Sequence, residues 1–325
     1  MTTTAVTRII SVLAVVLAAA VLIETLLFRI FARGGVYFIT EQTPAIIKNG
    51  YTSLVLSGNT LFNFAAPLTL LVLVLIVVVT WLRRPDPIYI AVSGTAGAVV
   101  IIGLLLMADM SGAVLSTAYY TASSLVLIAV VALAIRRGVG VSATAFVLLT
   151  GISYLAIYSF KGFGSPEVAE AGIRSVSAYA LGEWMSVIAF LALVPLLRGR
   201  LDRRAVVVAS VVSVLALGMS FGRADSVPLI ANWAFGLTLS LPYALYAAAL
   251  WVVVAFVMSS FRRGDSTFAA GVLLIMLGHR SIPLTYFNDL VLVGLLLVAM
   301  YARPALQRRA ETSALAAAKQ SSPAL

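Results

Sequence analysis

The sequence predicts an all-α integral membrane protein, a polytopic bundle of about ten transmembrane helices. Three observations predict this class: 62% of the 325 residues are hydrophobic while only 10% are charged, the mean hydropathy is +1.08, and apolar runs of about 20 residues recur along the chain. A soluble domain has roughly 25% charged residues, so the charge here is too sparse to cover a water-facing surface. Continuous apolarity excludes an outer-membrane barrel, whose strands alternate with period two.

Each predicted span is apolar throughout and is bounded by charge, Gly or Pro. In chain order, the first seven cover residues 9–28, 61–82, 88–108, 113–135, 139–160, 177–197 and 205–221. Residues 227–261 are too many for one span and include Asn232 and Pro242, so an interfacial lead-in is expected before a crossing from about residue 239. Residues 266–302 must hold two short helices with a turn near 283–288, because the stretch is short for two full crossings.

The basic residues predict the orientation. Every second connection carries arginines, and these connections and the two termini hold 15 of the 22 basic residues against four acidic ones, a net of +11. The other side carries seven basic and eight acidic residues, a net of −1. Positively charged loops stay in the cytoplasm, so both termini are predicted to be cytoplasmic in a multi-pass plasma-membrane protein. The basic excess then needs no nucleic-acid partner.

The spans form one predicted domain, residues 1–303, followed by a small, polar and basic cytoplasmic tail, residues 304–325. Two outer loops are long, residues 29–60 and 161–176. Each has room for a short amphipathic helix on the membrane or for a cover over an outward site. The N-terminal apolar run is too long for a typical signal-peptide core and lacks a clear small-residue cleavage site, which favours a first helix over a cleaved signal.

Composition excludes several cofactor classes. The chain has no cysteine and one histidine, so its own residues cannot build an iron–sulfur cluster, a thiolate zinc site, covalent c-type haem or a bis-histidine haem. The motifs HExxH and GxSxG and the Walker loop are also absent from the sequence. We therefore predict no catalytic residue, no metal site and no resident cofactor within the chain.

Charged side chains at membrane depth are costly and mark candidate functional positions. Glu24 is predicted near the outer end of the first helix, and Arg29 and Arg33, about one turn apart, could clamp an anion or a lipid headgroup. In the alternative interpretation, Glu24 pairs with an arginine and the cluster only fixes the depth of the helix.

A second group follows the ninth span. His279 and Arg280 are expected in the outer leaflet or at its edge, and Asp289 begins the last helix. A histidine beside an arginine tends to stay neutral, and a neutral imidazole with a carboxylate could deprotonate a quinol; a hydrogen-bonded turn would use the same residues. Asp109 and Glu183 are predicted on the outer side as well, and the cytoplasmic half offers no comparable set. The candidates for quinol or proton binding therefore all face outwards.

The segments ETLLFRIFARGGVY at 24–37 and GNTLFNFAAP at 58–67, with the near absence of histidine, resemble the B subunit of archaeal cytochrome b558/566. That family is the polytopic partner of an outward-facing, membrane-anchored b-type cytochrome in the respiration of thermoacidophilic archaea. The resemblance implies that haem b belongs to the partner subunit. It also implies that this chain anchors that partner and holds a quinol near the outer face, and it transfers no catalytic residue.

The predicted function is thus that of a membrane subunit in a respiratory electron-transfer complex, non-catalytic or co-catalytic in quinol oxidation. The alternative is a ten-helix secondary transporter of the drug/metabolite type. Transporters usually place polar residues and broken helices near the bilayer midplane, whereas the prolines here lie mainly toward predicted helix ends and mid-helix positions are Val, Leu, Ala and Ile. A lipid-modifying enzyme would need an acidic pair in the first outer loop, which offers only Glu41.

Overall fold

The computed structural model describes residues 3–25, 40–107, 113–162, 172–198, 200–221, 243–278 and 285–304. All regular secondary structure in these ranges is helical, and the ranges contain no strand. The predicted all-α class is confirmed. The predicted tail, apart from residue 304, lies outside the described residues.

Eleven helices are defined within these ranges, and most follow the predicted spans. They are α1 (Thr3–Glu24), α2 (Ala45–Leu82), α3 (Pro87–Met107), α4 (Ala113–Arg136), α5 (Val141–Gly162), α6 (Gly172–Leu191), α7 (Val194–Leu197), α8 (Arg203–Phe221), α9 (Tyr243–Arg262), α10 (Ser266–Gly278) and α11 (Thr285–Tyr301).

Four helices, α1 to α4, are long and apolar enough to cross a membrane, and shorter apolar stretches lie in α5, α6 with α7, α9, α10 and α11. The outside of the bundle exposes many large aliphatic side chains, including Val12, Ile101, Ile128 and Val214. Soluble monomers rarely expose so much apolar surface, and such surface marks contact with a membrane or a partner. These are the features of a membrane protein. The count of ten spans and their orientation stay predictions.

The two short helices α10 and α11 form the centre of the bundle. α10 packs on α1 and α9, and α11 packs on α2, α4 and α5. Every side chain from 267 to 278 and from 290 to 300 is buried. A helix that is apolar on all faces requires such a fully enclosed position, which explains why these two helices occupy the core.

The central helices touch each other at two glycines. A Cβ added at Gly294 would lie 2.6 Å from the backbone oxygen of Gly271, and a Cβ at Gly271 would lie 2.9 Å from the backbone oxygen of Gly294. Both distances are shorter than real Cβ contacts. Small residues at a helix crossing allow the two backbones to approach, so glycine is required at both positions.

The connections that follow α2, α4, α7 and α9, and the segment after α11, meet at one end of the bundle. We call it the arginine-rich end and the other the opposite end. Tight turns close these connections: the amide of Gly138 donates to the oxygen of Ile135, 2.9 Å away, and Gly138 has a φ of +61°. Glycine adopts this left-handed conformation without a Cβ penalty, which ends α4 sharply.

Several helix boundaries differ from the prediction: α1 begins at Thr3 and not at residue 9, and α6 begins at Gly172, inside the outer loop predicted at 161–176. Two further differences concern α2 and α11. Residues 45–60, predicted as part of an outer loop, are the continuous first part of α2, which keeps Pro67 inside it. α11 begins at Thr285, within the turn predicted at 283–288. In both places polar residues indicated a loop, but no proline interrupts the chain between residues 45 and 66 or between 284 and 303, so nothing prevents the helix from continuing.

Candidate functional site

Glu24 is the one predicted site residue whose side chain the structure describes. Glu183 lies in α6 and Asp289 in α11, but their side chains are outside the described part. The remaining predicted residues all lie outside the described residues: Arg29, Arg33, Asp109, His279 and Arg280. Their proposed assembly at the outer face therefore stays a prediction.

Glu24 ends α1 with a completely buried side chain. The hydroxyl of Thr25 donates to its Oε2 at 3.2 Å. Taking a carboxylate out of water is costly unless it keeps hydrogen-bonding partners, so a buried acid at this end of α1 is a strong candidate for a polar site. Its position confirms neither of the two roles that the sequence left open.

The central helix α10 is short. Its 13 residues span about 20 Å, since an α-helix rises 1.5 Å per residue, whereas the hydrocarbon core of a bilayer is about 30 Å thick. α10 begins at the arginine-rich end, so Gly278 at its other end lies short of the level that a full-length span reaches. Residues 279–284, which follow Gly278, lie outside the described part of the chain.

A groove runs along the first half of α4. It has a volume of about 590 Å³ and is lined by Val114, Thr117, Ala118, Thr121, Ala122 and Leu125. Four of these six residues are apolar, and the hydroxyl of Thr121 donates to the backbone oxygen of Thr117 at 2.9 Å. The walls of the groove are therefore largely apolar. A groove of this character accepts a hydrocarbon chain rather than a polar solute.

The arginine-rich end carries ion pairs that sequence reasoning missed. Asp86, before α3, pairs with Arg136 at the end of α4 (Oδ2 to Nε, 3.4 Å), and Asp202, before α8, pairs with Arg262 at the end of α9. The same carboxylates cap helices, because Asp86 Oδ1 accepts from the Ile88 amide at 3.2 Å and Asp202 Oδ1 from the Ala205 amide at 2.6 Å. Each aspartate thus fixes a helix start and joins two connections.

Asp265 is the most enclosed of these acids. Its side chain is 7% exposed, with Arg303 Nε 2.6 Å from Oδ1 and Arg200 Nη1 3.5 Å from Oδ2. Arg303 also donates to the backbone oxygen of Arg263 at 3.3 Å. The pairs tie the ends of the central helices α10 and α11 to the connection between α7 and α8.

The sequence did carry a signal for this network. Each of the three aspartates stands one or two residues from the start of a helix, where Asp is a preferred cap, and each lies near an arginine. Charge counting used these acids only to set the orientation, so their pairing with arginines at the end predicted to be cytoplasmic was not foreseen.

Arg137 occupies a different environment at the same end. Its Nη1 donates to the backbone oxygen of Ala299 in α11 at 2.6 Å. Burial lowers the pKa of the Arg137 guanidinium below its ordinary value, the charge of Arg83 lowers it too, and Tyr89 and Tyr301 act in the opposite direction. Arginine stays cationic under such shifts, so a partly desolvated positive charge sits beside a second one.

Buried hydroxyls lie near the middle of three helices. Ser153 of α5 donates to the backbone oxygen of Gly182 in α6 at 2.6 Å, and Thr150 and Ser186 lie one turn further along the same antiparallel pair. The hydroxyls of Thr150, Ser186 and of Ser123 in α4 are buried without a hydrogen-bond partner in the described structure. The middle of these helices thus holds buried polar groups in addition to the Val, Leu, Ala and Ile that the sequence emphasises there.

Comparisons with protein-family models, with curated proteins and with solved structures find no match to this chain. The resemblance to the cytochrome b558/566 B subunit therefore stays a prediction that rests on the two sequence segments.

Proposed function

We propose that the chain is a multi-pass plasma-membrane protein with ten spans, whose termini and arginine-rich end face the cytoplasm. It serves as the membrane subunit of a respiratory electron-transfer complex, anchors an outward-facing b-type cytochrome and binds quinol near the outer face. The helix set is compatible with this span count, because ten passes result when α6 and α7 are taken together as one and each of the nine other described helices as one.

The length of α2 is the observation that carries the anchoring role. Its 38 residues measure about 57 Å at 1.5 Å per residue, nearly twice the ~30 Å hydrocarbon core. The predicted span starts at residue 61, so residues 45–60 continue for about 24 Å beyond it. We call residues 45–60 the α2 projection. It stands on the side where the proposed partner lies.

The surface of the α2 projection suits a partner in water better than a lipid. Its most exposed side combines Ile46, 80% exposed, and Leu56, 60% exposed, with Asn49, Ser53 and Ser57. Protein interfaces mix apolar and polar area in this way, while a lipid-facing helix would be apolar throughout. A helix in a protein gains most of its stability from packing of its apolar side chains, and a partner would supply such packing for Ile46 and Leu56.

The quinol site in this proposal lies at the outer face. Oxidation of a quinol to a quinone would release two protons and two electrons. The electrons would pass one at a time to the partner's haem b, which must be reoxidised between them. His279 and Asp289, or Glu24, would accept the protons and pass them outward while Arg280 orients the carboxylate. The complete burial of Glu24 and the short α10 support a recessed polar site there. The groove on α4 supports a place for an apolar quinol tail.

Co-purification tests the anchoring role. The full chain is isolated under mild conditions from its native membranes, and a reduced-minus-oxidised spectrum measures haem b per chain. We expect haem b to co-purify, and we expect Ile46→Asp and Leu56→Asp to lower it by about fivefold or more, as loss of a central apolar contact does in protein interfaces. Leu201→Asp, at an exposed residue of the arginine-rich end, is the matched control and should retain haem b. If no b-type cytochrome co-purifies and quinol analogues do not bind, the proposal is wrong.

The secondary transporter remains the second candidate, and the buried hydroxyls of Ser123, Thr150 and Ser186 favour it. Unpartnered hydroxyls near the middle of a bundle are where a transporter places groups that bind its substrate. Solute flux in proteoliposomes separates the two candidates. A transporter gives flux that Thr150→Val and Ser186→Ala reduce, whereas a cytochrome anchor gives none.

A further inference from the structure

Several arginines at the arginine-rich end form no ion pair with an acid among the described residues, and three of them lie on two neighbouring connections. Arg83 and Arg84 lie between α2 and α3, and Arg137 lies between α4 and α5. Asp86, on the first of these connections, pairs with Arg136 and caps α3. The two connections therefore carry three positive charges that no described carboxylate pairs with.

The geometry fixes two of these cations near one another. Arg137 is held by its bond to the Ala299 oxygen at 2.6 Å, and the guanidinium carbon of Arg83 lies 5.6 Å from the centroid of the Tyr89 ring. The ion pair between Asp86 and Arg136, 3.4 Å from Oδ2 to Nε, holds the two connections side by side, and the charge of Arg83 lowers the pKa of the Arg137 guanidinium. Two like charges in a partly buried place are unfavourable, and a bound anion removes this cost.

We propose that Arg83 and Arg137 together bind the phosphate of an anionic phospholipid in the cytoplasmic leaflet. A guanidinium presents five N–H donors in a planar fork that matches phosphate oxygens, and one described bond occupies only one donor of Arg137. Basic pockets between helices on the cytoplasmic side are sites where anionic headgroups bind. This inference rests on the membrane placement proposed above and not on the respiratory role.

The surroundings favour a lipid over a soluble anion. The site lies at the ends of α2, α3 and α4, the helices long enough to span a membrane, which is the level of lipid phosphates. Trp81 is 51% exposed and Ile90 is 47% exposed on the adjacent outer surface, and Arg84 lies 5.4 Å from the Trp81 ring. Tryptophan and tyrosine concentrate at this interface, and the exposed apolar surface gives the acyl chains a place to lie.

Lipid binding to the purified full chain tests the inference. The delipidated protein in detergent is titrated with phosphatidylglycerol or with phosphatidylcholine, and native mass spectrometry counts the bound lipids. We expect phosphatidylglycerol to bind more tightly, and Arg83→Gln to weaken its binding by roughly fivefold, the effect of one basic residue near an anionic surface. Arg204→Gln removes the same charge from an exposed position in α8 and should leave the affinity unchanged.

The outcomes separate the possible failures. Equal phosphatidylglycerol affinity in Arg83→Gln and Arg204→Gln, or equal affinity of the wild type for both lipids, overturns the site. Inorganic phosphate that displaces phosphatidylglycerol at millimolar concentration would assign the site to a soluble anion and overturn the lipid. Arg137→Lys keeps the positive charge and replaces Arg137→Gln as the test if that variant does not fold. Arg137→Lys should bind phosphatidylglycerol more weakly than the wild type, because a lysine lacks the planar fork of N–H donors. A chain that an alkaline wash extracts from membranes would refute the membrane placement itself.

Discussion

The contact between α10 and α11 makes Gly294→Ala the sharpest test of the fold. The added methyl group would lie 2.6 Å from the backbone oxygen of Gly271, 2.6 Å from Cγ1 of Ile275 and 3.1 Å from the amide nitrogen of Ile275. Two of these three atoms belong to the backbone. A rotamer change of Ile275 can therefore relieve only part of the overlap, and the helices must separate.

The cost follows from these distances. Ordinary van der Waals contact begins at 3.4 Å, so the helices must move apart by about 0.8 Å, and α10 and α11 are enclosed on all sides by other helices. Overpacking of this kind costs about 1–3 kcal/mol, and backbone atoms on two sides favour the upper part of that range. At roughly 2–4 °C per kcal/mol for a chain of this order of size, we expect the melting temperature to fall by about 6 °C.

Thermal unfolding in detergent, followed by tryptophan fluorescence, measures this change. Gly94→Ala is the matched control, because no atom lies within 4 Å of the added Cβ and alanine is the better helix former; its melting temperature should be equal to or above that of the wild type. Adding Ile275→Ala to Gly294→Ala should not restore the melting temperature, since the Gly271 oxygen remains in the way and the loss of the buried Ile275 side chain leaves a cavity. A Gly294→Ala protein that melts with the wild type would refute the close approach of α10 and α11.

The other predictions concern the arginine-rich end and the orientation. Asp265→Asn removes the buried carboxylate that Arg200 and Arg303 contact and should destabilise the protein by about 3 kcal/mol. Asp86→Asn is the comparison: its partner Arg136 is 69% exposed, so this change should cost less than about 1 kcal/mol. Equal melting temperatures of the two variants would contradict the buried network around Asp265. Because the chain has no cysteine, single Ser53→Cys and Leu201→Cys variants report orientation by labelling of intact cells with an impermeant thiol reagent. We expect labelling at position 53 and none at 201, and the reverse pattern would invert the topology.

The helices were predictable because lipid imposes a simple rule on sequence. A span needs about 20 apolar residues, and most of the helices described here lie close to stretches predicted on that basis. The start of α2 was not predictable in this way. Residues 45–60 mix Ile46 and Leu56 with Asn, Ser and Gly, and hydropathy reads that mixture as a loop. The helix propensities of these residues do not exclude a helix. A hydropathy window reports only how apolar a stretch is, so it cannot show that the helix of the span continues into residues 45–60.

The polar contacts were less predictable than the helices. Charge counting assigned each arginine to a side, but it could not state which arginine meets which acid, because Asp265 and Arg303 are 38 residues apart and meet only after α10 and α11 fold into the core. Glu24 was singled out from the cost of charge at membrane depth, but its complete burial was not predicted. The hydroxyl of Thr150 was not, since a threonine in an apolar run gives no sign of whether it faces lipid, a helix or a cavity.

The ion pairs do not change the predicted orientation, but they divide the arginines into paired and unpaired ones. Membrane orientation follows from lysine and arginine near the spans, and acidic residues contribute little to it, so aspartates that neutralise four of these arginines in the folded state do not weaken the predicted topology. What pairing changes is the charge available to other molecules. The paired arginines hold the bundle together at one end, whereas Arg83 and Arg137, which lack an acid in the described structure, keep their charge for an external phosphate. An arginine-rich end is therefore not uniform: the same residue type orients the chain, joins its helices and, at one position, is proposed to bind lipid.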